Sequence, residues 1–176
     1  MILFCALTLT ACQSAQRPMI SMAPMQPRMR SAPFESTLLA IHNAERARVR
    51  VAPVSWDPAL AASAAAYARR IAPLRRLVHS PKAERPGAGE NLWMGTRGAY
   101  PLETMAGMWA GERRYFRPGI FPGNSSTGNW ADVGHYTAMI WPTTTRIGCG
   151  LGVAGDNEVL VCRYAPSGNI DGRRVP

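Results

Sequence analysis

Four ionisable residues sit oddly in this chain. His79 follows the apolar pair Leu77-Val78, Glu90 lies within the small and apolar stretch GAGENLWMG, and Glu112 interrupts an otherwise apolar helical face. His135 heads the run GHYTAMIW and is one of only three histidines. Two imidazoles and two carboxylates form a donor set suited to Zn²⁺ or a similar divalent ion, with nitrogen and oxygen ligands at about 2.0–2.2 Å. Their positions, 79, 90, 112 and 135, carry no local spacing signature of the HExxH kind. Any site they share must therefore be assembled by the fold.

The elements that would position them can be read from periodicity and punctuation. Residues 34–50, FESTLLAIHNAERARVR, have helical spacing at Leu38, Ile41 and Ala44/Glu45 and contain no Gly or Pro. Asp57-Pro58 starts a second helix, with Asp57 as cap and Pro58 at the first helical position, and Ala59 to Ile71 follow. The alanines there predict a face that another element approaches closely. GAGENLWMG (87–95) reads as a strand, and Pro101 opens a third helix through about Phe116. On that helix Met105, Trp109, Glu112 and Phe116 fall at steps of four, three and four, on one face. Residues 117–133 form a long Gly/Pro/Asn/Ser loop, a length that often signals function. Residues 136–141 read as a strand headed by His135.

Two further β-segments, 147–154 and 158–165, flank Gly155-Asp156, which reads as a hairpin turn. A two-residue turn places Ala154 opposite Asn157 and, counting outward, Cys149 opposite Cys162. They would form a non-hydrogen-bonded pair with Cα atoms about 4.5 Å apart. The prediction is a cross-strand disulfide, in keeping with an even cysteine pair outside the cytosol. The predicted order of elements does not alternate strictly. It favours an α+β fold with a mixed sheet between helical layers over a doubly wound parallel sheet.

The N-terminus reads differently. Residues 2–12 are apolar, too short to span a membrane and placed like a signal-peptide core. Leu9-Thr10-Ala11-Cys12 has the form of a bacterial lipobox, in which Cys12 receives lipid; Gln13, not Asp, follows it, which favours the outer membrane. Residues 13–33 are rich in Pro, Met and Arg without periodicity and read as a disordered tether. The organisation expected is thus a leader with lipobox (1–12), a tether (13–33) and one domain (34–172). No apolar run reaches the 18 residues a spanning helix needs.

Net charge is +9 with a pI of about 10.3. The cations are 19 Arg and the single Lys82, scattered singly and in pairs without an aromatic-interleaved stripe. Nucleic acid is therefore not the expected partner. Attraction to an anionic membrane or envelope polymer fits the balance better.

Ordered motifs then suggest a family. HNAER (42–46), WDPALAASAAAYA (56–68), His79-Ser80, GENLW (89–93), WAGERRY (109–115), GHYTAMIW (134–141), IGCG (147–150) and VCRYAPSGNI (161–170) resemble the CAP superfamily. This superfamily comprises cysteine-rich secretory proteins, antigen 5 and pathogenesis-related 1 proteins and is also known as the SCP domain. The resemblance implies a three-layer α-β-α sandwich with a mixed, mainly antiparallel central sheet. It also implies a surface cavity lined by two His and two Glu, which map to His79, Glu90, Glu112 and His135, while His42 maps to a structural position. Ala138 and Arg163 depart from the Gln and Asn frequent there. The resemblance points to a ligand-binding or recognition module, with lipids or sterols among the ligands, at the bacterial envelope. An enzyme is the less favoured reading. The alternative is a metal-assisted hydrolase of peptides or esters in the same cavity, with one Glu as general base. Ser80 beside His79 is a poor nucleophile candidate, because adjacency in sequence does not set the geometry a base needs.

Overall fold

The structure is a computed structural model and describes residues 31–176. The leader, Cys12 and the tether as far as residue 30 lie outside the described residues. Helix α1 (Ser31–Arg48) is followed by β1 (Ser55–Trp56), α2 (Pro58–Ile71), β2 (Gly89–Thr96) and α3 (Leu102–Gly111). Then come β3 (Gly119–Ile120), α4 (Gly134–Met139), β4 (Arg146–Ala154), β5 (Asn157–Ala165) and β6 (Arg174–Val175). The central sheet has the order β1-β4-β5-β2, with β1 parallel to β4 and the other two pairings antiparallel. Helix α2 covers one face, and α1, α3 and α4 cover the other. This is the α-β-α sandwich with a mixed, mainly antiparallel sheet.

Strand β5 is buried along its whole length, and its residues alternate between two cores, as a two-residue period requires. Val159 and Val161 join Ala64, Tyr67, Ala68, Ile71 and Leu92 beneath α2. Leu160, Cys162 and Tyr164 face Leu38, Trp93, Trp109, Tyr136 and Trp141 on the other side.

Helix α2 starts as its sequence predicts. Asp57 accepts from the N–H groups of Ala59 (2.8 Å) and Leu60 (3.1 Å), and Pro58 occupies the first turn. Its alanine face lies directly on β4. Gly148, Gly150 and Gly152 point at Ala61, Ala65 and Ala68, and a Cβ at any of the three would collide with helix backbone. Glycines on alternate strand positions against alanines spaced by four and three remove both side-chain layers. The helix axis is thereby drawn onto the sheet.

The hairpin register matches the count made from its turn: Ala154 pairs Asn157 and Cys149 pairs Cys162. The two cysteines are bridged, with Cα atoms 4.1 Å apart.

Three expectations need correction. Residues 136–141, read as a strand headed by His135, instead belong for the most part to the short helix α4 (Gly134–Met139). The third helix stops at Gly111, and Glu112–Tyr115 tighten into a 3₁₀ turn. The first helix begins at Ser31, before residue 34.

The clash at β4 yields a direct test. Gly150→Ala is expected to lower unfolding free energy by about 3 kcal/mol, because the contact is with Ala65 itself and no flexible side chain can give way. Urea denaturation would measure it; an unchanged midpoint would show that α2 can lift from the sheet.

Candidate functional site

Glu90 enters at the start of β2 with its side chain fully buried. Its Oε1 accepts from His79 Nδ1 (2.9 Å) and from the Ser80 N–H (2.9 Å), and its Oε2 from the Ser80 hydroxyl (2.7 Å). Arg163 Nη2 lies 3.5 Å from Oε2, and Arg85 Nε 3.8 Å from Oε1. Burial pushes this carboxyl up. The donors His79 and Ser80, with the Arg85 charge, outweigh it and hold the group below its ordinary value. Glu90 is thus a saturated carboxylate, and His79 must present its proton at Nδ1. The His79 side chain itself is 56% exposed.

Glu112 behaves in parallel on the other face of the sheet. It closes α3 and reaches the first turn of α4, whose own cap residue, Val133, offers no side-chain oxygen. Oε2 accepts from the N–H groups of His135 (2.9 Å) and Tyr136 (3.0 Å), and Oε1 from His135 Nδ1 (2.5 Å). One carboxylate therefore caps α4 from a distant element and fixes the ring it precedes. The His135 ring lies parallel to Trp109, with centroids 6.1 Å apart. On both His79 and His135 Nδ1 is used, and among the described residues Nε2 makes no hydrogen bond.

A buried polar chain ties His135 to α1. Asn91 donates to the His135 carbonyl (3.1 Å) and to the Tyr164 hydroxyl (3.0 Å). His42 donates from Nδ1 to the Leu38 carbonyl (2.7 Å), so its Nε2 accepts from the Tyr164 hydroxyl (2.9 Å). His42 is fully buried, and burial lowers its pKa to about 4; the Leu38 carbonyl opposes this and the Arg46 charge adds to it. The third histidine is structural, as expected.

His79, Glu90 and His135 line one open cavity of about 630 Å³; Glu112 stands behind His135 and is not part of the wall. The expectation set both carboxylates against both imidazoles. The structure instead pairs His79 with Glu90 and His135 with Glu112. Among the described residues no three His, Cys, Asp or Glu side chains gather as ligands of one metal ion. Phe121, Pro122, Trp130 and Ala138 supply an apolar wall, and Lys82 and Arg85 supply cationic groups.

Sequence reasoning missed several members. Arg163 was noted only as a departure from family pattern, yet it is buried behind Glu90 and donates to the Ser80 hydroxyl (3.2 Å). Asn169, at a positive φ of 54°, links the chain end to α4 by donating to the Gly134 carbonyl (2.8 Å) and accepting from Thr137 (2.9 Å). Asn169 lay within the VCRYAPSGNI motif, and its type was a further signal, since Asn tolerates the left-handed region.

Residues 39–164 match the family described as CAP: Cysteine-rich secretory protein family. The chain is 39% identical over 136 residues to a pathogenesis-related protein of PR-1 type from Sambucus nigra, covering 76% of each. It is 36% identical over 137 residues to pathogenesis-related leaf protein 4 of Solanum lycopersicum, covering 77% of this chain and 79% of that protein. Among solved structures, NaASP2 with Zn²⁺ superposes with a TM-score of 0.68 at 24% identity, covering 82% and 85% of the two chains. An outer surface protein of Borrelia burgdorferi gives 0.54 at 14% identity, covering 78% and 95%. These last two likenesses concern the fold. The chain belongs to the CAP family.

The neutral, buried His42 predicts an acid-sensitive fold. Its folded value lies below the unfolded 6.5, so as pH falls the unfolded chain takes up the proton first. The stabilisation is complete above about pH 6.5 and is lost progressively towards pH 4, for a total of about 3 kcal/mol. Urea unfolding of the wild type and of His42→Gln across this window should show the steeper slope only in the wild type. Equal slopes would refute the assignment.

Proposed function

We propose that this chain is an exported bacterial envelope protein whose cavity binds a small ligand, with lipids and sterols as the leading class. The observation that carries this reading is the cavity itself. Its volume of about 630 Å³ lies within the usual range of small-molecule sites, and it joins an apolar wall to a few polar groups. Ala138 keeps part of that wall apolar.

A divalent ion would be held by the two imidazoles, with Nε2 as the nitrogen left on each ring and Nδ1 hydrogen-bonded to a carboxylate. A carboxylate behind a ligating histidine is the usual supporting arrangement for such rings. The Zn²⁺ reported with NaASP2 supports the same idea. An ion so held would supply positive charge toward a carbonyl or anionic group of a ligand.

A binding role is favoured over catalysis by what the carboxylates are doing. The oxygens of Glu112 are taken up by main-chain and imidazole donors, and those of Glu90 by these together with the Ser80 hydroxyl and the Arg163 guanidinium. The Ser80 hydroxyl is buried and donates to Glu90, away from the base a nucleophile needs. Calorimetric titration of Zn²⁺ into the wild type should give saturable heat that His79→Ala/His135→Ala abolishes. Peptide and ester hydrolysis should stay at background with and without Zn²⁺. Heat that survives the double substitution would remove the metal site. Zn²⁺-dependent hydrolysis lost in the variant would make the cavity catalytic. A sterol and fatty-acid binding assay on the same samples tests the ligand class.

Export and anchoring rest on Leu9-Thr10-Ala11-Cys12. No helix among the described residues is long and apolar enough to cross a membrane, so a lipid on Cys12 would provide the attachment. Labelled palmitate supplied to cells should enter the wild-type protein and not Cys12→Ser; equal labelling would end this reading.

A further inference from the structure

One end of the sandwich combines arginines with exposed aliphatic side chains. Three elements meet there: the C-terminus of α2, the turn between β4 and β5, and the end of β2. Asn157 at the start of β5 donates to the Ala72 carbonyl (2.7 Å), Thr96 pairs with Asn157, and the Arg97 N–H bonds the Asp156 carbonyl (2.8 Å). Just beyond α2 runs Leu74-Arg75-Arg76-Leu77-Val78. Leu74 is 50% exposed, Leu77 44% and Val78 38%, and Val153 on β4 is 41% exposed. Nothing among the described residues covers them.

The charges at this end are one-sided. Arg69, Arg75, Arg76 and Arg97 are all exposed, and the exposed acid among them is Asp156, which pairs with Arg75 at 3.1 Å. Glu158 is 9% exposed and turns its carboxylate to the Gly98 N–H (3.2 Å). Arg70 is engaged elsewhere, with Glu84 at 2.5 Å. Four cations against one exposed acid leave an excess of three positive charges beside the aliphatic cluster.

We propose that this end of the molecule is a docking surface for an anionic phospholipid bilayer. The arginines are placed to neutralise headgroup phosphates. Leu74 and Leu77 are placed to enter the boundary between headgroups and acyl chains, with the long arginine side chains remaining at headgroup level, whereas Val78 turns away, its carbonyl accepting from the Tyr67 hydroxyl. A polyanion such as an acidic polysaccharide would engage the arginines but gives no reason for leucines standing in water beside them. None of Leu74, Arg75, Arg76, Leu77 and Arg97 lines the cavity, although the segment leads into His79 at its wall, and the surface does not depend on a lipid at Cys12. Reach is not limiting either, because the eighteen residues between Cys12 and Ser31 span up to about 60 Å when extended.

The test uses the chain from residue 12 onward carrying Cys12→Ser, so that no lipid is attached. Co-sedimentation with vesicles of 70% phosphatidylcholine and 30% phosphatidylglycerol is compared with pure phosphatidylcholine. Binding to the anionic vesicles should exceed that to neutral ones at least tenfold and fall as NaCl rises. Arg76→Glu/Arg97→Glu and, separately, Leu74→Ser/Leu77→Ser should each reduce it at least tenfold, with circular dichroism and Zn²⁺ titration unchanged. No preference for anionic vesicles would overturn the proposal. So would loss of binding in the arginine variant with full retention in the leucine variant, which would mark a purely electrostatic polyanion site. Failure of the cavity to bind ligand would leave these vesicle results unaffected.

Discussion

A single buried guanidinium holds the helical layer to the rest of the fold. Arg46 has no exposed surface and no carboxylate partner among the described residues. It donates to the carbonyls of Ala52 (2.6 Å), Met139 (3.0 Å), Trp141 (2.9 Å) and Thr144 (2.8 Å). Burying a charge without a counter-ion is costly, and burial draws this group's pKa down to about 10. The cost is offset because the donors meet oriented carbonyls, including those at the C-terminal end of α4, where a helix concentrates negative partial charge. One turn earlier Asn43 clamps the Val54 backbone through both its N–H and C=O (3.1 and 2.8 Å). The HNAER segment is thus a bracket, and α4 is its main load.

The cavity follows from that bracket. Arg46 secures the C-terminal end of α4 and Glu112 secures its N-terminal end. A six-residue helix has little stability of its own. Held at both ends by side chains from α1 and the end of α3, it presents His135 at a fixed angle beside Trp109. The second imidazole is held by the same device, a carboxylate that bridges a histidine ring to a main-chain N–H, but at the other side of the sheet edge. The two halves of the site share a construction and differ in electrostatics: Glu90 has two arginines within 4 Å, whereas Glu112 makes no ion pair with an arginine or lysine among the described residues.

Much of this was legible in one dimension. Asp57-Pro58 announced α2, the alanines its close approach and Gly155-Asp156 the hairpin; the disulfide followed by counting. These are local facts, decided by dihedral preference, capping and a two-residue period. GHYTAMIW misled because Tyr, Thr, Ile and Trp are good strand residues. In the helix its first N–H groups meet the Glu112 carboxylate and its last carbonyls meet the Arg46 guanidinium. Those partners lie 23 and 93 positions away. Propensity is a weak preference, and tertiary hydrogen bonds of this strength override it.

The sequence alone determined the layers, the hairpin register, the cystine and which four ionisable residues were out of place. All follow from interactions within a few residues, or from motif order. Only the tertiary structure decided which carboxylate served which imidazole, that Glu112 caps a helix behind the cavity wall, and that Arg163 stands behind Glu90. Those outcomes depend on which side chains meet across the sheet, and no periodicity along the chain encodes the partner of a buried charge.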